Sequence, residues 1–169
     1  MQNFSGTNSQ PLYTAEQKHR RDNSVWTMVQ GVLAPIQFLI FLVSLTLVLR
    51  FLSTGEGEAL AVSSIVLKTV TLYTIMITGC IWEKVVFDCY LFAPAFYWED
   101  MFSMLVLALH TAYLIALFTK SLGAQTLMYL ALAAYAAYLI NAVQFILKLR
   151  AARLGQSKQA KLTHEGIAA

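Results

Sequence analysis

Four stretches of the chain contain almost only apolar side chains, and this pattern constrains the fold more than any other feature. They are residues 31–52, 59–82, 101–118 and 124–147, about half of the 169-residue chain. A helix of about 20 apolar residues spans the hydrocarbon core of a bilayer, and in lipid the backbone must satisfy its own hydrogen bonds. We therefore predict an all-α polytopic membrane protein, a four-transmembrane-helix bundle with an interfacial segment between helices 2 and 3.

The low charge of the chain excludes a soluble domain of ordinary composition. Only 12% of the residues are charged, against about a quarter in typical soluble domains. A cleavable signal peptide is not expected, because the first 24 residues are polar and the first apolar run is long. Cys80 and Cys89 match no metal-binding or redox spacing, so we interpret them as packing residues on a reducing side.

The basic residues indicate the orientation of the helices. Nine of the twelve lysines and arginines lie on the side of both termini: Lys18, Arg20, Arg21, Lys84, Lys148, Arg150, Arg153, Lys158 and Lys161. Arg50 and Lys120 lie on the other side, and Lys68 falls within the second span. The positive-inside rule then places both termini in the cytoplasm. The basic tails favour contact with anionic lipid. A net charge of +3 without a basic-aromatic platform argues against nucleic-acid binding.

The chain divides into three parts. Residues 1–24 form an N-terminal tail with a short interfacial helix, since Thr14 and Gln17 fit a capping box. Residues 25–150 form the membrane domain, and residues 151–169 a C-terminal tail. We expect residues 1–12 and the tail after Arg153 to be unstructured.

Each predicted helix carries polar residues on one face, at helical spacing. They are Gln30, Gln37 and Ser44 on the first; Thr71, Thr74 and Thr78 on the second; Glu99, Ser103 and His110 on the third; Asn141, Gln144 and Lys148 on the fourth. Most of them fall in the cytoplasmic half of the bilayer, which predicts a polar pocket open to that leaflet. Interhelical hydrogen bonds that hold a bundle together are the structural alternative.

The connection between the second and third spans, residues 82–100, holds four of the nine acids and seven aromatic rings. Glu83 and Asp88 lie near its start, and Glu99 and Asp100 at its end. In the structural interpretation, these are solvated charges at helix ends or acids favoured by the dipole of a first helical turn. In the functional interpretation, one carboxyl group donates a proton while another accepts one, as general acid-base catalysis requires.

Several strings in and around this connection resemble the bacteriochlorophyllide 3-vinyl hydratase family. They are RRDNSVWTMVQGVLAPIQF (20–38), YTIMITG (73–79), WEKVVF (82–87), YLFAPAFYWED (90–100), SMLVLALHTAYL (103–114) and LKLRAAR (147–153). The resemblance covers about residues 11–153, and it implies a location in the bacterial inner membrane, cytoplasmic or intracytoplasmic photosynthetic. It implies a hydro-lyase of bacteriochlorophyll biosynthesis that adds water across the C3-vinyl group of a chlorophyllide or bacteriochlorophyllide, giving a 3-(1-hydroxyethyl) group. No cofactor is implied, because the magnesium belongs to the substrate.

That chemistry assigns provisional roles to the four acids. Protonation of the terminal vinyl carbon leaves a cation that the macrocycle stabilises, and water then attacks the inner carbon. We expect Glu99 or Asp100 to be the acid and Glu83 the base that holds water, with Asp88 a weaker candidate.

Other polar residues are candidates for binding the substrate. His110 either ligates the substrate's magnesium or is a hydrogen-bonded packing residue, and Lys68 either pairs with the substrate's propionate or snorkels. Tyr97, Tyr138, Asn141 and Gln37 complete the candidate substrate-binding set.

Two other functions compete with the hydratase. One is a non-catalytic pigment-binding or assembly factor of photosynthetic membranes, in which His110 holds a chlorophyll. The other is a proton-coupled transporter, which is disfavoured because the acids lie at the predicted membrane edge rather than in mid-span. Beyond pigment and lipid, the partners expected are other enzymes of the same biosynthesis or further copies of this chain.

Overall fold

The computed structural model describes residues 12–167, with side chains as far as Leu154. The helices are α1 (Ala15–Asp22), α2 (Val25–Thr54), α3 (Glu58–Phe87), α4 (Tyr97–Thr119) and α5 (Ala124–Ile167). Helices α2 to α5 each contain a window apolar and long enough to cross a membrane, with mean hydropathy of 2.5, 1.8, 2.0 and 1.8. The predicted all-α architecture of four membrane helices is confirmed, and the chain is a multi-pass membrane protein.

The bundle consists of two helical hairpins, α2 with α3 and α4 with α5, which contact each other less extensively. A turn with Gly55 at φ 74° and Gly57 at φ 86° joins α2 to α3, and glycine adopts this left-handed backbone without steric cost. The main apolar core includes Phe41, Val48 and Met128. It lies toward the turn that joins α2 to α3, away from the connection between α3 and α4.

The polar residues before α2 form the caps that the sequence predicts. Thr14 begins α1 with a complete capping box that includes Gln17. Ser24 caps α2, and its hydroxyl accepts a hydrogen bond from the backbone N–H of Trp26 at 3.2 Å. Tyr13, just before α1, stacks on Phe87 at the end of α3 with 5.7 Å between ring centroids. The short helix is thereby fixed against the membrane bundle.

One helix has an unusual end, and another continues beyond the expected boundary. Helix α3 ends at Phe87, because Asp88 adopts a left-handed backbone (φ 65°) that terminates the helix. Helix α5 continues to Ile167, so the expectation of an unstructured tail after Arg153 was wrong for residues 154–167. That tail lacks proline and is rich in good helix formers such as Ala, Leu, Lys and Gln. Residues 1–11 of the predicted disordered segment lie outside the described residues.

Candidate active site

The connection between α3 and α4 folds back so that the end of α3 lies beside the start of α4. We call this the acidic end of the bundle, and it contains Glu83, Glu99 and Asp100. All three are buried, with 6%, 8% and 4% of their surfaces exposed. Carboxyl groups are rarely buried to this extent unless they have a partner or a function. The contacts of each carboxyl group therefore indicate its role.

Glu83 and Asp100 lie close together at the acidic end, because the same short stretch of the connection holds the end of α3 and the start of α4. Two successive backbone amides of the connection bind them: the N–H of Phe92 donates to Asp100 Oδ2 at 2.8 Å, and the N–H of Ala93 donates to Glu83 Oε2 at 3.4 Å. We call Glu83 and Asp100 the carboxyl pair. It joins α3, α4 and their connection at one point.

The backbone at Phe92 is unusual, because a bulky residue there has a positive φ of 60°. Such a conformation costs about 1–3 kcal/mol and is found chiefly where the surrounding structure enforces it. Here it accompanies two neighbouring N–H groups that both point at carboxylates, an arrangement that binds anions. The following turn is closed by a 2.7 Å hydrogen bond from the N–H of Phe96 to the carbonyl of Ala93. The connection is thus shaped to hold the carboxyl pair.

Glu99 has a different partner from its neighbour Asp100. Its Oε2 lies 2.5 Å from Lys148 Nζ on α5, and the same ammonium group lies 5.0 Å from the centre of the Phe96 ring. This ion pair connects α4 to α5 at the acidic end. The sequence placed Lys148 on a polar face of α5 but gave no indication of this partner.

Asp88 is not part of the buried group. Its side chain is 78% exposed and lies 2.8 Å from Lys84 Nζ. The hydrogen bond from Lys84 lowers the pKa of Asp88 below its usual value. Asp88 is therefore a solvated carboxylate at the end of α3, as the structural interpretation of that residue expected.

A second set of polar groups lies one turn deeper. Asn141 Nδ2 donates to Ser103 Oγ at 2.8 Å, and Ser103 follows Asp100 by three residues on α4. Among the described side chains, Asn141 Oδ1 and Gln144 Oε1 are buried oxygens without a hydrogen-bond donor. Both are acceptors, so the arrangement suits a ligand that donates hydrogen bonds. Gln144 was not among the predicted site residues, although its position on the polar face of α5 marked it.

Lys68 and His110 lie in the middle of the bundle, and neither is exposed (0% for both). His110 Nδ1 is 2.8 Å from the carbonyl oxygen of Val106. Because a carbonyl only accepts, Nδ1 must carry the proton and Nε2 has a free lone pair. Within the described structure, His110 Nε2 and Lys68 Nζ have no hydrogen-bond partner. Lys68 Nζ lies 3.7 Å from the centre of the Tyr138 ring.

The remaining predicted residues are dispersed around these groups. Gln37 is buried on α2, with 2% exposed, whereas Tyr97 is 46% exposed and lies at the edge, with its ring 5.6 Å from that of Phe92. Interhelical bonding accounts for Gln30, whose amide donates to the Thr78 hydroxyl at 2.8 Å.

Comparison with known proteins identifies the family. A family model described as 2-vinyl bacteriochlorophyllide hydratase (BCHF) matches residues 13–151. A protein named 2-vinyl bacteriochlorophyllide hydratase from Cereibacter sphaeroides is 66% identical over 144 residues, covering 85% of this chain and 89% of the relative. One of the same name from Rhodobacter capsulatus is 64% identical over 143 residues, covering 85% and 83%. No solved structure matches the chain. With the family model covering most of its length and two relatives at this identity, the chain belongs to the 2-vinyl bacteriochlorophyllide hydratase family.

Proposed function

We propose that this protein adds water across the vinyl group on ring A of a chlorophyllide or bacteriochlorophyllide, and that the carboxyl pair performs the proton transfers. The product carries a 1-hydroxyethyl group in place of the vinyl group. The observation that carries the proposal is the position of buried Asp100 and Glu83 on the successive amides of Phe92 and Ala93. The names of the relatives indicate hydration of a vinyl group, and the two buried carboxyl groups are able to transfer the protons that hydration requires.

In the proposed mechanism, Asp100 donates a proton to the terminal vinyl carbon. The positive charge that develops on the inner carbon is delocalised into the macrocycle. Glu83, as a carboxylate, accepts a proton from the water that attacks this carbon. Two carboxyl groups in contact share one proton, so a proton passing from Glu83 to Asp100 restores the starting state. Hydration is thus complete without a redox step, and no cofactor of the protein is required.

Asp100 suits the role of acid better than Glu99, the other residue for which the sequence allowed it. Glu99 forms an ion pair with the ammonium group of Lys148, which lies 2.5 Å from its Oε2. We propose that Glu99 stabilises the packing of α4 against α5. Asp88, which is exposed and paired with Lys84, terminates α3.

The unpartnered oxygens of Asn141 and Gln144 support a position for the attacking water. Asn141 bonds to Ser103, one turn below Asp100, and Gln144 follows Asn141 by three residues on the same face of α5. A water molecule that donates to these two oxygens keeps its lone pairs available for the vinyl carbon. We propose that this pair of amides positions the water that Glu83 deprotonates.

His110 is the proposed ligand for the substrate's magnesium. Histidines that bind metals usually donate the other ring N–H to a carbonyl or carboxylate, and His110 does so to Val106. Ten residues of helix separate it from Asp100, a rise of about 15 Å. The two side chains therefore meet different parts of one macrocycle, with Tyr138, Gln37 and Tyr97 as further contacts.

We further propose that the acidic end faces the cytoplasm, as the excess of basic residues on that side supports. The pigment then enters from the cytoplasmic leaflet, where the connection between α3 and α4 lies in the interfacial zone. Association with other enzymes of pigment synthesis, or with further copies of the chain, stays a prediction.

The decisive experiment incubates the purified protein and vinyl pigment in oxygen-18 water. We expect one labelled oxygen in a hydroxyethyl product, identified by mass spectrometry. The matched control is the Glu83→Gln/Asp100→Asn double variant, which retains similar side-chain shapes. Pigment that is bound by the wild-type protein but recovered unchanged would favour the pigment carrier and overturn the hydratase.

A further inference from the structure

Lys68 is a buried lysine for which the described structure provides no anion. The side chain is wholly buried, and its Nζ has no hydrogen-bond partner. The only polar compensation seen is the Tyr138 ring at 3.7 Å. A snorkelling lysine would extend its ammonium group along the lipid-facing surface to the membrane edge, whereas Lys68 Nζ is enclosed by the bundle.

The acids of the membrane helices lie too far away to pair with Lys68. Within the four membrane spans they are Glu58, Glu83, Glu99 and Asp100, all close to a helix end. On α3 itself, Glu58 and Glu83 are separated from Lys68 by rises of about 15 Å and 22 Å. An ionisable side chain in the interior of a membrane bundle usually has a partner or marks the path of a ligand. No described side chain provides an anion, and a ligand that carries a carboxylate would supply the missing partner.

His110 adds a second unsatisfied group in the middle of the bundle. Its ring lies 6.0 Å from that of Tyr135, one helical turn before Tyr138, and His110 Nε2 is also without a hydrogen-bond partner. One group therefore requires an anion and the other a metal ion or a donor. A magnesium chlorin with a free carboxyl group provides both, on a flat ring that suits the face of Tyr138.

We propose that Lys68 binds the propionate carboxylate of the pigment and so selects the free acid over its esters. This inference rests on the proposed function and adds an orientation. The vinyl group and the propionate are on different rings of the macrocycle, and the carboxyl pair and Lys68 are at different depths of the bundle. The pigment therefore enters with its carboxylate edge first, and its vinyl edge stays at the acidic end.

Other lysines near the acidic end do not compete for this role. Lys84 is paired with Asp88 and Lys148 with Glu99. In the opposite orientation the propionate would either displace one of these carboxylates or meet an exposed cation such as Lys18 or Arg150, which water already solvates. Lys68 needs no such exchange.

The test compares the vinyl chlorophyllide free acid with its methyl ester, first on the wild-type protein. Replacing the carboxylate by an ester should raise KM about 10- to 100-fold, the loss expected for a charge-assisted contact, with little change in kcat. Lys68→Met should raise KM for the acid to the value for the ester and leave KM for the ester unchanged. Lys68→Arg should retain part of the preference, and Lys120→Met, on an exposed loop residue, is the matched control.

The outcomes separate this inference from the function itself. Equal KM for acid and ester in the wild-type protein would overturn the role of Lys68 while leaving the hydratase intact. So would a Lys68→Met variant that weakens both substrates equally. If neither pigment is hydrated, the proposed function fails, and titration of pigment absorbance still reports whether binding distinguishes the acid from the ester.

Discussion

The substitution Asp100→Asn tests the assignment of the acid most directly. Asparagine has nearly the same shape, and its carbonyl oxygen can still accept the 2.8 Å hydrogen bond from the N–H of Phe92. The change removes the transferable proton and little else. A positioned general acid contributes about 10²- to 10⁴-fold to a rate, so we expect kcat to fall by that factor. This corresponds to a barrier higher by about 3–5 kcal/mol.

Glu99→Gln is the matched control, because it alters the adjacent acid on the same helix. It removes the negative partner of Lys148, whose side chain is 25% exposed, while that of Glu99 is 10% exposed. Water reaches the lysine, so the cost should be on the order of 1 kcal/mol of folding stability. We expect kcat to stay within about threefold of wild type, since the carboxyl pair is intact.

The assay measures initial rates of hydroxyethyl pigment formation at saturating substrate, together with thermal unfolding in detergent. The expected pattern is a large loss of kcat with normal stability for Asp100→Asn, and the reverse for Glu99→Gln. Equal losses of kcat in the two variants would refute the division of roles. An Asp100→Asn protein with nearly normal turnover would also refute it, because this variant has no carboxyl proton to transfer at that position.

Three further predictions concern Glu83, His110 and the hydrogen bond between Ser44 and Tyr135. Glu83→Gln should reduce kcat as Asp100→Asn does. The double variant should lose little more kcat than either single variant, because paired residues act as a unit. Additive losses of kcat in steady-state kinetics would contradict this. His110→Ala should weaken binding of the magnesium pigment at least tenfold but leave a magnesium-free analogue unaffected in absorbance titrations; equal weakening would indicate a packing role. Ser44→Ala removes the 2.5 Å hydrogen bond with Tyr135 and should cost about 1–3 kcal/mol of stability without changing kcat; an unchanged melting temperature would show that the bond contributes little.

The membrane fold follows from the sequence because it depends on local properties. Long apolar runs decide which segments cross the bilayer, and short polar residues such as Thr14 and Ser24 decide where helices begin. The end of α3 was less predictable. Asp88 ends it in a left-handed conformation, where glycine is the usual signal.

The candidate site was only partly predictable, because its geometry depends on the tertiary structure. Helical spacing places Glu99, Ser103 and His110 on one face, but consecutive residues such as Glu99 and Asp100 point about 100° apart on a helix. Which of them meets Glu83 depends on the path of the connection and on Lys148 from α5. The backbone amides that hold the carboxyl pair have no side-chain signature at all.

The vertical separation of the two sets of polar groups explains how a nearly symmetric disc can react at one position. The carboxyl pair lies at the acidic end, whereas His110 lies about 15 Å and Lys68 about 22 Å deeper along the helices. A pigment held at both the metal and the propionate has a single orientation, so only one edge of the macrocycle reaches Asp100. We propose that the attacking water binds near Asn141 and Gln144, whose oxygens have no donor in the described structure. If groups in the apolar interior fix which edge of the pigment reaches the carboxyl pair, loss of the deep contacts should affect KM, while loss of the carboxyl pair should affect kcat.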